Sequence, residues 1–242
     1  MFDSLSLKSI DPSWQSLLKQ AFATLQPDYI NMLNHSEWLP GPEKIFNAFS
    51  LPVDQVNYIL FGESPYPRTE SANGYAFWDN AVTNLWSETG LAKEVNRATS
   101  LRNIVKMLLL AAKKLTANDL SQQAIAKIDK THLIQSIADL FGNMQKRGIL
   151  LLNATLVLRK NLVPVDVKSW QPFMNAVLLL LQQQRPTVKL ILLGKLAAQI
   201  NALPAAKNFP EFVAEHPYNI SFITNPKVLE FFGPLELLKG VN

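Results

Sequence analysis

Tyr58-Ile59-Leu60-Phe61-Gly62-Glu63-Ser64-Pro65-Tyr66-Pro67 is the stretch whose reading decides the fold. Four apolar residues that stop at a glycine predict a buried strand, Tyr58 to Phe61, running into a tight turn. Pro65 and Pro67 stiffen that turn, since each fixes φ and removes an N–H donor. A rigid loop at the carboxyl end of a buried parallel strand is where an α/β protein builds its site. Downstream, residues 62 to 87 stay rich in Gly, Pro, Ser, Asn and aromatics, and pass through Gly74-Tyr75-Ala76-Phe77. A connection of that length without regular structure is usually functional.

Working outward, three more apolar runs behave the same way. Ile149 to Leu152 ends in Asn153, Val188 to Leu193 ends at Gly194, and Phe212 to Ala214 ends near His216-Pro217. Helical segments separate them. Trp14, Leu17, Leu18, Ala21, Phe22 and Leu25 recur at helical spacing, and Pro27 closes that segment or opens the next. Asn34 to Pro42 reads as a loop, and Pro42 to Phe49 as a short helix with proline in its first turn. Residues 88 to 147 are expected to be helical, with Leu101, Ile104, Val105 and Leu108 on one face. Further helices are expected over Trp170 to Gln184, Lys195 to Leu203 and Pro226 to Leu238. Four buried strands alternating with helices predict an α/β fold in three layers, α/β/α, with a central four-stranded parallel sheet. No linker, repeat or low-complexity segment interrupts residues 1–242, so one domain is expected.

Composition sets outer limits. The 242 residues are 48% hydrophobic, enough for a sizeable core. The longest apolar candidate for a membrane span, Val177 to Leu181, is far too short. Asp3 near the start and the lack of a basic n-region argue against a signal peptide. The chain has no cysteine, which excludes disulfides and thiolate metal sites and suits a reducing cytoplasm. His35, His132 and His216 are far apart in sequence, so no metal is expected. A net charge of +4 suits an anionic partner such as nucleic acid.

The carboxyl ends of parallel strands lie along one sheet edge, so their polar residues can converge. The candidates are Glu63, Ser64 and Tyr66 after the first strand, Asn153 after the second, Gly194 and Lys195 after the third, and His216 after the fourth. An Asn side chain offers one acceptor beside a donor pair, which matches an imide edge, a carbonyl next to an N–H, as uracil shows it. Cytosine shows the opposite pattern. Phe77 can stack on a base, an interaction worth roughly 1–3 kcal/mol. Tyr66 is bulky enough to bar a methyl group at C5. His216 can donate to charge developing on a departing pyrimidine oxygen, and such a donor is worth roughly 3–4 kcal/mol of barrier.

With these segments in their order and spacing, the sequence resembles the uracil-DNA glycosylases, family 1 of that superfamily. The resemblance runs from about Trp14 to Leu238. Pro42 to Phe49 has a near-identical counterpart in the family. Gly62-Glu63-Ser64-Pro65-Tyr66-Pro67 falls where the family reads Gly-Gln-Asp-Pro-Tyr-His. Gly74-Tyr75-Ala76-Phe77 matches the segment with the stacking aromatic, and Leu150-Leu151-Leu152-Asn153 the uracil-reading Asn. Ser100-Leu101-Arg102-Asn103-Ile104 matches the Pro-rich loop and following helix. Leu193-Gly194-Lys195 matches the Gly-Ser loop, and His216-Pro217-Tyr218-Asn219-Ile220-Ser221 the His-Pro-Ser-Pro-Leu-Ser segment. The resemblance implies a monomer without metal or organic cofactor that flips deoxyuridine out of DNA and hydrolyses its N-glycosidic bond. It implies His216, Ser64 and Glu63 as catalytic residues and Tyr66, Phe77 and Asn153 as substrate-binding residues. Ser100, Gly194, Lys195, Tyr218, Ile220 and Ser221 would contact DNA, with Ile220 as an apolar wedge.

The chain departs from the family at several of these places. Ser64 stands where the family has the Asp that positions water, and Pro67 where it has a second His. Ala98-Thr99 replaces paired prolines, Lys195 replaces a Ser, and Tyr218 and Asn219 replace Ser and Pro. Glu63 either supplies the carboxylate that Ser64 lacks or replaces a Gln with its side chain turned away. Three readings therefore stand together: an active uracil-DNA glycosylase acting in base excision repair, a catalytically impaired relative that binds DNA or a protein partner, and an enzyme whose target base has changed.

Overall fold

A computed structural model of the chain describes residues 9–240, and sequence readings that fall on residues 1–8 lie outside them. The strands in chain order are β1 (Tyr58–Gly62), β2 (Trp86–Ser87), β3 (Gly90–Leu91), β4 (Ile149–Asn153), β5 (Lys189–Leu193) and β6 (Glu211–Ala214). Four of them form a parallel sheet in the order β4-β1-β5-β6, with flanking helices. β1 runs alongside β4 from Tyr58 opposite Ile149 to Gly62 opposite Asn153, and alongside β5 from Tyr58 opposite Lys189 to Leu60 opposite Ile191. β4 is buried throughout and β1 at all but Tyr58, the pattern of strands covered on both faces.

The chain divides into two compact units. The first holds the residues up to Asn80 and Gly148–Phe212; the second holds Ala81–Arg147 and the residues from Val213 on. In the first unit, helix Gln15–Phe22 buries Leu17, Leu18, Ala21 and Phe22, and helix Val163–Gln184 buries Trp170, Phe173, Met174, Val177, Leu178 and Leu181. Edge-on aromatic pairs knit this core: Trp14 with Phe49 at 5.0 Å and Trp170 with Phe173 at 4.9 Å between ring centroids. Such pairs contribute about 0.5–1.5 kcal/mol beyond the area they bury. One buried polar cluster sits among them. Arg159 and Asp166 pair at 2.6 Å, Tyr29 Oη donates to the same carboxylate at 2.8 Å, and Trp170 Nε1 donates to Tyr29 Oη at 2.9 Å. Burial and the Asp166 charge raise the Tyr29 phenol well above its ordinary range.

In the second unit, helix Thr99–Ala111 buries Leu101, Ile104, Val105 and Leu108, the face expected from their spacing. Helix Ile137–Lys146 starts in a reciprocal cap between Ser136 and Asp139. β2 and β3 form a small antiparallel hairpin.

Several sequence expectations are corrected. Pro42 to Phe49 is not one helix: it is a run of turns leading into a 3-10 helix, Asn47–Ser50. Pro27 opens a helix, Pro27–Asn34. Residues 88 to 147 are broken into Lys93–Arg97, Thr99–Ala111, Gln122–Ala126 and Ile137–Lys146, because irregular turns intervene at Ala98 and after Ala111. The long helix starts at Val163 rather than Trp170. Its Pro164 lies in the first turn, where the missing N–H would have no partner anyway, and Asp166 there suits the positive helix start. The final helix is Pro226–Phe232, and Gly233-Pro234 convert its continuation to a 3-10 turn, Gly233–Leu235.

Candidate active site

β1 and β4 end side by side, and their last residues, Gly62 and Asn153, face each other in register. Gly62 is required there by space. A Cβ on it would run into Asn153 Oδ1 and lie 2.8 Å from Ala76 Cβ. Asn153 is only 2% exposed, and its side-chain oxygen faces the Gly62 position. Backbone bonds fix the chain around it: Ala154 N–H donates to Gly62 O at 2.8 Å, Thr155 N–H to Glu63 O at 3.1 Å, and Ala76 N–H to Leu151 O at 3.1 Å.

The last of these bonds brings the 74–77 segment onto β4. Gly74 has φ +89°, and a Cβ there would strike the Lys44 carbonyl oxygen. Tyr75 N–H donates to Asn73 Oδ1 at 3.0 Å, and Asn47 Nδ2 donates to Asn73 O at 2.9 Å. Phe77 itself sits at φ +62°, in the left-handed region that L-residues avoid. Holding a phenylalanine there costs on the order of 1 kcal/mol, and such strain collects at ligand sites. Its ring is half-buried. Tyr66 Oη donates to the Phe77 carbonyl at 3.1 Å, which ties the start of the loop to its end. Burial pushes the Tyr66 phenol up to about 12, with the Asp79 charge adding to the rise and Arg68 opposing it. Arg68 and Asp79, an exposed guanidinium on a buried carboxylate at 3.2 Å, close the loop a second time.

The rest of the first-strand set is less committed. Ser64 is half-buried, and its hydroxyl lies 3.5 Å from the Pro65 carbonyl. Glu63 is exposed. Gly194 follows β5 with φ +68°, and Lys195 behind it is exposed just before helix Leu196–Asn201.

The second unit carries the remaining predicted residues. His216 follows β6. The Tyr218 backbone N–H donates to His216 Nδ1 at 3.1 Å, so the ring's own proton sits on Nε2 and that nitrogen is a donor. Asn219 N–H donates back to His216 O at 2.9 Å. Asn103, 2% exposed on helix Thr99–Ala111, braces the segment from below. Its Nδ2 donates to Pro217 O at 2.8 Å and lies within 3.5 Å of the Tyr218 and Asn219 carbonyls. Tyr218 and Ile220 stand 68% and 77% exposed. Ser221 is exposed, and its hydroxyl donates to Glu215. Ser100 lies half-buried in the first turn of the Asn103 helix.

Thus the structure groups Gly62, Tyr66, Phe77 and Asn153 at one strand edge, and groups His216, Tyr218 and Ser221 on one loop. Sequence reasoning missed Asp79, Arg68, Asn103 and Glu215. Only Asn103 left a signal, a lone amide on an otherwise apolar helix face.

A buried amide at a strand end and a strained aromatic on the loop bonded to that strand suit a planar ligand that shows a carbonyl beside an N–H. The uracil-DNA glycosylase of Streptococcus mutans is 26% identical over 219 residues, covering 86% of this chain and 84% of that protein. That of Campylobacter fetus is 28% identical over 221 residues, covering 88% and 82%. The crystal structure of the wild-type UNG from Nitratifractor salsuginis matches with a TM-score of 0.93 at 40% identity, covering 97% of this chain and 95% of that one. No family model matches the chain. The chain belongs to the uracil-DNA glycosylase superfamily.

Proposed function

We propose that the chain is a DNA N-glycosylase that excises uracil in base excision repair. The observation that carries this is Asn153, an amide only 2% exposed at the end of β4, with its oxygen turned toward Gly62. Its acceptor and donor match the imide edge of uracil and oppose that of cytosine. In this reading Phe77 stacks on the flipped base, and Tyr66, anchored on the Phe77 carbonyl, excludes a C5 methyl group.

The reaction breaks the bond between C1′ and N1. The bonding pair leaves with the base, water adds to C1′, and the proton it sheds ends on the uracil anion. His216 presents Nε2–H to the pyrimidine oxygen that gains negative charge, a role supported by the N–H bond on Nδ1. Ser64 holds the water by its hydroxyl but brings no charge to the sugar cation. Glu63, exposed and on the same turn, is the carboxylate nearest in sequence to supply one. Ser100, Gly194, Lys195, Tyr218 and Ser221 grip phosphates, and Ile220 enters the vacated stack. The protein acts as a monomeric single domain in the cytoplasm, without cofactor. Among the described residues no helix is long and apolar enough to cross a membrane.

A second reading is favoured by one observation: Ser64 leaves the turn without the carboxylate at that position. In that reading the chain binds uracil-containing DNA and does not cleave it.

Single-turnover uracil release from a deoxyuridine oligonucleotide decides between them. Release by wild type, lost by at least about 100-fold in His216→Ala, is expected. A further loss in Glu63→Gln assigns the carboxylate. No release by wild type, with release by Ser64→Asp, overturns the enzyme reading in favour of the binding one.

A further inference from the structure

The segment read as a phosphate grip carries an anion of its own. Glu215 precedes His216, and both of its carboxylate oxygens are engaged. Ser221 Oγ donates to Oε2, and Asn225 Nδ2 donates to Oε1 at 3.1 Å. Asn225 is itself oriented, because its Oδ1 accepts the Lys227 backbone N–H at 3.0 Å. Two neutral donors thus converge on two oxygens of one anionic group. A phosphodiester presents the same feature, two non-bridging oxygens sharing one negative charge, at a similar spacing. Charge-assisted hydrogen bonds of this kind are among the strong ones.

We propose that Glu215 is a built-in competitor for a DNA phosphate site formed by Ser221 and Asn225. In the unliganded chain its carboxylate fills the two donors that a backbone phosphate takes on binding. The two anions cannot occupy the donors together, so DNA must displace Glu215, and the free energy of that displacement is subtracted from affinity. The carboxylate therefore sets how tightly this loop holds DNA. The inference rests on the reading that the chain grips DNA.

The test is fluorescence anisotropy with a labelled oligonucleotide lacking uracil, at low and moderate salt, using the full chain. Glu215→Ala should bind roughly ten-fold more tightly than wild type, and Glu215→Gln should shift in the same direction. Ser221→Ala should weaken binding more in the Glu215→Ala background than in wild type, because only there is its hydroxyl released to phosphate. Circular dichroism and Tm report whether each variant is folded. If folded Glu215→Ala and Glu215→Gln bind DNA equally or less tightly than wild type, the carboxylate is a brace of the loop and the inference is wrong. Uracil release measured on the same wild-type sample separates the two claims. Release without any gain from the Glu215 variants removes this inference and leaves the proposed activity. Neither release nor DNA binding by any of these proteins removes both.

Discussion

Gly62 shows how far one missing methyl group reaches. It lies at the end of β1 opposite Asn153, and any side chain there must displace the Asn153 side-chain oxygen Oδ1 or the Ala76 methyl. Overpacking of this kind costs about 1–3 kcal/mol of stability, and a misplaced recognition group costs on the order of 100-fold in rate. Gly62→Ala is therefore expected to lower single-turnover uracil release by about 100-fold while Tm falls only a few degrees. A near-normal rate would mean that Asn153 does not read the base. At this scale the sequence was informative where a residue ends an apolar run. Asn153, Gly194 and the 62–67 turn stood out because strand ends are chemically marked. Glu215 and Asp79 did not stand out, since their meaning lies in partners, Ser221 and Arg68, that no spacing rule connects to them.

The elements show a different limit. β1, β4, β5 and β6 were legible almost to their ends, because buried strands are continuous apolar runs bounded by Gly, Asn or Pro. Helix limits were not. Val163, Val165 and Val167 around Pro164 look unlike a helix start, but the first turn tolerates proline and the core decides the rest. The His216 loop is likewise held by another element rather than by its own sequence. Asn103 reaches from helix Thr99–Ala111 to the carbonyls of Pro217, Tyr218 and Asn219. Asn103→Ala removes that donor and leaves the buried Pro217 carbonyl unpaired, a loss of about 1–3 kcal/mol. The expected result is a Tm lower by several degrees together with uracil release slowed at least about ten-fold, since the His216 donor loses its support. An unchanged rate at lowered Tm would make Asn103 structural only.

For the molecule as a whole, the buried phenols set its tolerance of alkali. Burial pushes the Tyr66 phenol up to about 12 and raises that of Tyr29 further. In the unfolded chain each loses its proton near pH 10. Above that pH the unfolded state releases protons that the folded state keeps, so stability is full below about pH 10 and falls as pH rises toward 12. Tyr66 accounts for up to about 2.7 kcal/mol of that fall, two pH units at 1.36 each. Urea midpoints from about pH 9 to about pH 11 should drop steeply in wild type, and less so in Tyr66→Phe by roughly one proton's slope. Equal slopes would place Tyr66 in contact with water. The strand order β4-β1-β5-β6 was not legible at this scale, because nothing local to a strand names its neighbour.

Ile220, with Tyr218 two residues before it, holds apolar surface out into water on a loop pinned at Asn103. Covering such a side chain releases roughly 1.5–3 kcal/mol whatever does the covering. The tip proposed to enter a base stack is therefore also an adhesive one. Concentrated protein without nucleic acid should cling through this tip to its own kind and to plastic, and DNA should act on it as a solubilising agent as much as a substrate.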